Sequence, residues 1–232
     1  MCGVAMTAGD ALAYTELFDE VTQRLAPLRS PGVRQTVEAI KDCYNEVRHK
    51  AIQERVLRPR GLESLEYFHK IQSHLHPEIV FGIQGRIDRY DYGLQILVAG
   101  GGKTGAHIYR VFNPGTSHCF DAIGFHAICT GTSHAINALI AHECYPSRVV
   151  YEAIVIVYEA KRVAEKAPGV GVLTDMAVIA HGRLVLFPRK EIECIEPIYQ
   201  KWLRRDGSWA EDMQKQYEGW ATRKDNRDEE AI

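Results

Sequence analysis

Two short segments of the sequence contain residues whose types and spacing could carry out chemistry. The first, Gly100 to Thr104, combines three glycines with a lysine and a threonine, the residue types that hold phosphates and magnesium in nucleotide-binding loops. Such a loop begins with a glycine where this chain has Leu97, and it opens a helix whose N-terminus meets the phosphate. The residues from Ala106 to Phe112 alternate as in a strand instead. The sequence therefore favours a glycine-rich hairpin turn over an ATP site.

The second segment is Met1-Cys2-Gly3. If Met1 is removed, Cys2 becomes the N-terminal residue, and its own α-amine can act as the base for its thiolate. Class II glutamine amidotransferases begin in this way, although nothing downstream in this sequence supports that activity. The alternative is a buried cysteine in a strand. Cys2 therefore stays an outside candidate for the nucleophile of an amidotransferase.

Histidine-containing groups are less specific. His74 and His76 are two residues apart, which puts them on different faces of a helix, and no carboxylate or cysteine pair accompanies them. His142, Glu143 and Cys144 lie together at the end of a predicted helix and indicate no particular chemistry. No Gly-x-Ser-x-Gly segment nominates a nucleophilic serine. We expect no metal and no other cofactor.

The composition argues against several kinds of partner and compartment. The 232 residues carry a formal net charge of -2, whereas nucleic-acid-binding proteins usually show a basic excess or stripe. No apolar run has the length of a membrane span, and no basic segment followed by an apolar one suggests a signal peptide. The six cysteines contain no Cys-x-x-Cys pair, which disfavours a zinc site or a secreted disulfide framework and predicts reduced thiols in the cytoplasm. We expect neither a nucleic-acid nor a membrane partner.

The elements that would position these residues can be predicted from apolar spacing and turn residues. A short strand at residues 4–8 precedes helices at 10–25, 33–56 and 62–76, and residues 78–90 are ambiguous between helix and strand. A hairpin of two strands follows from Leu94 to Phe112, and residues 120–128 resemble a third strand. The remaining predictions are helices at 132–140, 147–166 with Ser147 as its cap, and 191–202, and a second hairpin around residues 181–182.

Runs of strands separated by pairs of helices predict an α+β protein in which antiparallel sheets have helices layered outside them. The sequence shows neither an internal repeat nor a linker. We predict a single domain over residues 1–221 and a polar C-terminal tail over residues 222–232.

Four segments, in order, resemble the proteasome β-subunit family of the N-terminal-nucleophile (Ntn) hydrolase superfamily. Residues 94–115 resemble its central hairpin, and residues 125–140 resemble the strand, Gly-Ser-Gly-Ser turn and third helix. Residues 147–179 resemble the fourth helix and the glycine-rich entry to the last strands, and residues 9–25 resemble the first helix. The resemblance implies a four-layer αββα sandwich whose helices pack against neighbours in a ring.

In that family the nucleophile is a threonine, serine or cysteine at the start of the mature chain, assisted by its own α-amine and by an Asp and a Lys on the early strands. Only nine residues precede the first predicted helix here, so the sequence predicts that these strands and the nucleophile are absent. The implied supporting residues are Thr132, at the serine of the Gly-Ser-Gly-Ser turn, and Asp175. The family's later Asp and Ser fall near Ala167 and Val170, which cannot form hydrogen bonds through their side chains.

Two functions therefore remain open at this stage. The chain is expected to be a proteasome-like Ntn hydrolase subunit, whose parent activity is hydrolysis of peptides or small amides but which is itself inactive. Alternatively, it is a non-catalytic subunit that forms rings with copies of itself or with related subunits. The amidotransferase that would use Cys2 is a third hypothesis.

Overall fold

The computed structural model describes residues 2–102, 105–180 and 182–222. The strands are β1 (Cys2–Gly9), β2 (Leu94–Gly102), β3 (Gly105–Phe112), β4 (Thr116–Cys119), β5 (Met176–Ala180) and β6 (Arg183–Phe187). The helices are α1 (Ala11–Leu25), α2 (Val33–Ile52), α3 (Leu65–Ile71), α4 (Pro77–Asp88), α5 (Thr132–Ala141), α6 (Val150–Ala164), α7 (Arg189–Glu193), α8 (Ile195–Leu203) and α9 (Trp209–Ala221). The predicted α+β class is confirmed.

Two sheets contain the described strands. The first has the order β1-β2-β3-β4, and the second is the antiparallel pair of β5 and β6, in register from Met176 opposite Phe187 to Ala180 opposite Arg183. The strands of both predicted hairpins are therefore neighbours in a sheet, β2 with β3 and β5 with β6. The predicted turn residues Lys103, Thr104 and His181 lie outside the described residues.

The prediction of a third strand over residues 120–128 is wrong. The strand lies earlier, at β4, and the chain turns immediately after it. The Ile123 and Gly124 N–H groups both donate to the Phe120 carbonyl, at 3.0 and 2.8 Å, and Gly124 has a φ of 87°, which glycine adopts without strain. This turn ends the strand pairing of β4. The apolar run in the sequence had suggested that a strand continues there.

The prediction that Ser147 caps a helix beginning there is also wrong. The Arg148 N–H donates to the Tyr145 carbonyl at 3.0 Å, so residues 145–148 form a turn. Helix α6 begins only at Val150, after an extended Val149 that supplies no side-chain cap. The turn residues Pro146 and Ser147 did not locate the start of this helix correctly.

The predicted helix over residues 191–202 is in fact two helices, α7 and α8, separated at Cys194. Pro197 explains the break, because it has no N–H to donate to the carbonyl of the residue four positions earlier. A helix accommodates proline without losing a hydrogen bond only in its first turn. A further helix, α9, was not predicted. The ambiguous stretch at residues 78–90 is mostly the helix α4.

Helix α2 stops at Ile52, although the apolar spacing predicted a helix to residue 56. The chain continues through a π-helical turn (Gln53–Leu57) and a 3₁₀ turn (Arg58–Arg60). Pro59 lies within the second turn, and Gly61 follows with a φ of 73°. The left-handed conformation of Gly61 reverses the chain and ends the helical segment.

The chain forms two compact units. One, called here the α1–α4 unit, consists of Ala5–Val98 and Tyr109–His118. The other, called the α5–α9 unit, consists of the segments Met1–Val4, Ala99–Ile108 and Cys119–Ile232. The prediction of a single domain over residues 1–221 stays a prediction. Most of the predicted tail, residues 223–232, lies outside the described residues.

Within the described residues, each unit has its own buried core and one buried charged side chain. In the α1–α4 unit, α1 and α2 pack on β2 and β3, and the Tyr44 hydroxyl donates to the Leu94 carbonyl at 2.9 Å. Arg48 is 8% exposed and donates to the Asn113 side chain and to the carbonyls of Ile87 and Tyr90. In the α5–α9 unit, helices α6, α8 and α9 pack together with β5 and β6. Its buried charge is Glu159.

Candidate functional site

The turn before α5 contains Thr132, the residue nominated to support catalysis. Its hydroxyl donates to the Cys129 carbonyl at 2.6 Å, and its N–H donates to the same oxygen at 3.1 Å. Cys129 has a φ of 83°, which is unusual for a residue with a side chain. Both bonds close the turn that starts the helix. The Thr132 hydroxyl is therefore engaged with the backbone of its own turn.

The same turn packs against apolar groups at the end of α6. A Cβ atom built on Gly131 would lie 2.9 Å from the Ala164 Cβ and 3.2 Å from Val170 Cγ2. Ala167, at the other altered position, is 5% exposed. Apolar side chains thus stand at the two positions near this turn where the resembling family has a carboxylate and a hydroxyl. Neither Ala167 nor Val170 can donate or accept a proton there.

Asp175, the other nominated residue, is exposed and lies directly before β5. Among the described interactions, none joins Asp175 to Thr132. The structure therefore does not bring the two supporting candidates together through a hydrogen bond. The backbone of Cys2 begins β1, and its side chain lies outside what the structure describes.

A titratable cluster that the sequence did not nominate lies at the start of β3 and after β4. His107 Nδ1 lies 2.7 Å from Asp121 Oδ2, and the Ile108 N–H donates to Asp121 Oδ1 at 2.8 Å. Partial burial acts to raise the pKa of Asp121, but the hydrogen bonds from His107, Ile108 and Cys119 outweigh it, so this pKa lies below its ordinary value. The carboxylate is held ionised as an acceptor and orients the imidazole.

A second cluster surrounds the buried Glu159 on α6. Trp202 Nε1 donates to Glu159 Oε2 at 2.7 Å, and His142 Nε2 lies 3.0 Å from the same oxygen. The His142 and Trp202 rings are 5.3 Å apart. His142 thus pairs with Glu159 and not with its neighbours Glu143 and Cys144. Because three helical segments meet at one carboxylate, the cluster fixes the packing of α5, α6 and α8.

A cleft of about 540 Å³ lies beside these helices in the α5–α9 unit. The Tyr158 hydroxyl donates to Glu196 Oε2 at 2.6 Å, and this bond is the main reason that the pKa of Glu196 is lowered. The same pairing and, above all, burial raise the pKa of the Tyr158 phenol. Arg162 and Thr174 also line the cleft. The cleft therefore has charges of both signs, and its Glu196 carboxylate is engaged by the Tyr158 phenol.

These clusters could be only partly anticipated from the sequence. Glu159 is an acidic residue inside the apolar run AIVIVYEA, which is a signal for a buried and paired carboxylate. His107 and Asp121 are 14 residues apart. The wrongly predicted strand at residues 120–128 gave no indication that their side chains are in contact. Histidines 74 and 76 lie in a 3₁₀ turn and before α4, respectively. Within the described residues, no group of three or more His, Cys, Asp or Glu side chains could hold a metal ion.

Comparison with solved structures shows a likeness to a mutant of Anbu from Hyphomicrobium sp. strain MC1. The TM-score is 0.56 at 10% sequence identity, and the match covers 89% of this chain and 78% of that chain. The likeness shows a proteasome-like fold, an α+β sandwich. No protein-family model and no curated protein matches the sequence.

None of the described helices has both the length and the apolar character needed to cross a bilayer.

Proposed function

We propose that this chain is a subunit of a proteasome-like assembly of the Ntn-hydrolase type, and that it associates with further copies of itself without hydrolysing peptides. The observation that carries the second part is the packing of the Thr132 turn. The Thr132 hydroxyl bonds to its own turn, while Ala164 and Val170 pack beside the adjacent Gly131. The likeness in fold to Anbu supports the first part.

Exposed apolar side chains on α5 and α6 support association with a second copy. Val150 and Val157 are seven residues apart and lie on one face of α6, and Val157 is 46% exposed. Ile140 on α5 and Tyr145 and Val149 in the connection between the two helices are also exposed. We call these five residues the α5–α6 apolar patch. Apolar groups clustered in this way on a soluble surface are typical of an interface.

Light scattering coupled to size exclusion tests the association. We expect the wild-type chain to elute as an oligomer and the double substitution V150E/V157E to shift it towards the monomer, because burying two carboxylates in an apolar interface is costly. The control L28E/L173E places two charges on exposed leucines outside the patch. A monomeric wild-type chain would overturn the proposal, as would equal dissociation of the two double variants.

A fluorogenic peptide assay tests the absence of hydrolysis. We expect the purified chain to give no turnover above buffer. Turnover that an epoxyketone inhibitor abolishes would contradict the proposal and restore the catalytic hypothesis. The amidotransferase hypothesis is tested separately, because glutaminase activity lost in C2A would identify Cys2 as the nucleophile.

The reduced cysteines predicted from the sequence make the cytoplasm the compartment in which we expect this assembly to form.

A further inference from the structure

Four arginines line one cleft of the α1–α4 unit, in a part of the chain outside the segments that resemble the proteasome β-subunit family. The cleft has a volume of about 540 Å³. Its arginines are Arg55, Arg60, Arg86 and Arg89, and Asp91 is the acidic residue among its lining. We call it the arginine cleft. The Asp91 carboxylate accepts the Gly93 N–H at 2.8 Å, so it is already used in a turn.

Most of the N–H donors of these arginines form no hydrogen bond within the described part of the protein. Arg60 donates one N–H to the Val56 carbonyl, and Arg89 Nε donates to the Gly85 carbonyl at 2.8 Å. A guanidinium group has five N–H donors. In the described part of the chain, the ion pairs involve other residues, and no Asp or Glu lies within 4.0 Å of these four guanidinium groups. The cleft is therefore a concentration of positive charge in a protein whose net charge is -2.

An apolar cleft adjoins the arginine cleft. It has a volume of about 420 Å³ and is lined by Leu62, Leu75, Ile79, Gly82 and Ile83. Arg60 and Arg86 line both clefts, so two guanidinium groups stand where the apolar and the basic surfaces meet. Ile79 is 52% exposed, which leaves apolar surface open to a bound molecule.

We propose that these adjoining clefts bind a small amphipathic anion, with an aliphatic chain in the apolar cleft and a carboxylate or phosphate held by Arg60 and Arg86. Guanidinium groups bind such head groups through paired hydrogen bonds. The two volumes lie in the range of small-molecule sites, about 300–1,000 Å³, and this favours a free amphiphile over a bilayer surface.

Calorimetric titration with three probes tests the assignment. Decanoate carries both the chain and the anion, acetate only the anion, and decyltrimethylammonium the same chain with the opposite charge. All are used below their critical micelle concentrations. We expect decanoate to bind at least about tenfold more tightly than either other probe, because only decanoate satisfies both clefts. Equal binding of decanoate and acetate, or no binding of decanoate, would overturn the proposal.

Two variants separate the head-group and chain contributions. R60Q/R86Q removes the shared charges, and we expect it to weaken decanoate binding about tenfold or more. Its matched control, R29Q/R183Q, removes two exposed charges elsewhere and should bind as the wild type does. Equal weakening in both double variants would reveal unspecific attraction and refute the site.

G82L fills the apolar cleft without disturbing the fold. A Cβ atom on Gly82 meets nothing within 4 Å, and leucine is a better helix former than glycine. We expect decanoate binding to weaken about tenfold, whereas G219L, a matched change on α9 with equally open space, should leave it unchanged. Unchanged binding in G82L would overturn the proposal. Sedimentation with anionic vesicles that R60Q/R86Q abolishes, without any binding of decanoate, would assign the arginines to a membrane surface instead and also overturn it.

Discussion

Among the described residues, each of the two units buries one charged side chain, but the hydrogen-bond partners of these side chains differ. Arg48 in the α1–α4 unit donates only to neutral acceptors, an amide oxygen and two carbonyls. Glu159 in the α5–α9 unit shares one oxygen between an indole N–H and a histidine. The first arrangement joins a guanidinium to neutral acceptors, and the second joins a carboxylate to an indole and an imidazole. Removing Arg48 therefore takes donors from carbonyl and amide oxygens, whereas removing Glu159 takes the acceptor from the Trp202 indole N–H.

The functional features divide in the same way. The turn at Thr132, where the resemblance predicts chemistry, has the Thr132 hydroxyl bonded to the Cys129 carbonyl, and its Gly131 packs against Ala164 and Val170. The arginine cleft, about which the resemblance is silent, presents guanidinium donors of which protein groups use only a few. These arginines are exposed, so their donors are available to a ligand, whereas the Thr132 hydroxyl is already bonded to its own turn.

The three tryptophans, Trp202, Trp209 and Trp220, all belong to the α5–α9 unit. Their fluorescence therefore reports the unfolding of that unit, while far-UV circular dichroism reports helices of both. Comparing the two signals in urea shows which unit a substitution destabilises.

The largest effect is expected for R48M. Removing the guanidinium takes away three charge-assisted hydrogen bonds. The Tyr90 carbonyl then has no donor among the described residues, while Asn113 and the Ile87 carbonyl keep only backbone N–H donors, so the free energy of unfolding should fall by about 3 kcal/mol. The circular dichroism midpoint should move, and an unchanged tryptophan midpoint would mean that the units unfold independently. R29M, at an exposed site, is the control. A loss no larger than that of R29M would contradict the assigned role of Arg48.

A smaller loss, about 2 kcal/mol, is expected for E159L, because the Trp202 indole and His142 lose their acceptor. The tryptophan signal should report it directly. E159Q keeps an oxygen acceptor at the same place and should recover part of the stability. If the glutamine variant were the less stable of the two, hydrogen bonding to Trp202 would not be the main contribution of Glu159.

G131A probes the apolar packing of the Thr132 turn. The new methyl group would overlap Ala164, so we expect a loss of about 1.5 kcal/mol in the tryptophan-monitored transition. G171A, where an added Cβ meets nothing within 4 Å, should change little. Equal effects in the two variants would indicate that the turn is loosely packed and would weaken the argument against catalysis.

The smallest effect is expected for D121N, about 1 kcal/mol near pH 7, because the bond from His107 loses its charge assistance. The pKa of Asp121 is lowered in the folded chain, so its carboxylate stabilises the fold above the unfolded value, roughly 3.9. That stability is lost as pH falls through the folded pKa. The difference between wild type and D121N should therefore shrink below about pH 4. A difference that persists at pH 2 would contradict this role of the carboxylate.

The sequence by itself determined the α+β class, the helices α1, α2 and α5, and the strands β1, β2 and β3. These rest on apolar periodicity and on turn residues, which act between neighbours in the chain. It also determined that Ala167 and Val170 offer no polar side chain. It failed at Phe120, where a turn after β4 interrupts an apolar run, and at α9, whose buried Met213 and Trp220 contact partners remote in sequence.

The tertiary structure alone decided which polar groups meet. His107 and Asp121, Glu159 and His142, and the arginines of the α1–α4 unit are separated by stretches of chain whose paths no local pattern specifies. The same holds for the Thr132 hydroxyl, which the sequence could nominate but whose bond to the Cys129 carbonyl depends on the conformation of the turn. A residue's type limits the chemistry available to it, whereas its partners, burial and charge are set by contacts between distant segments.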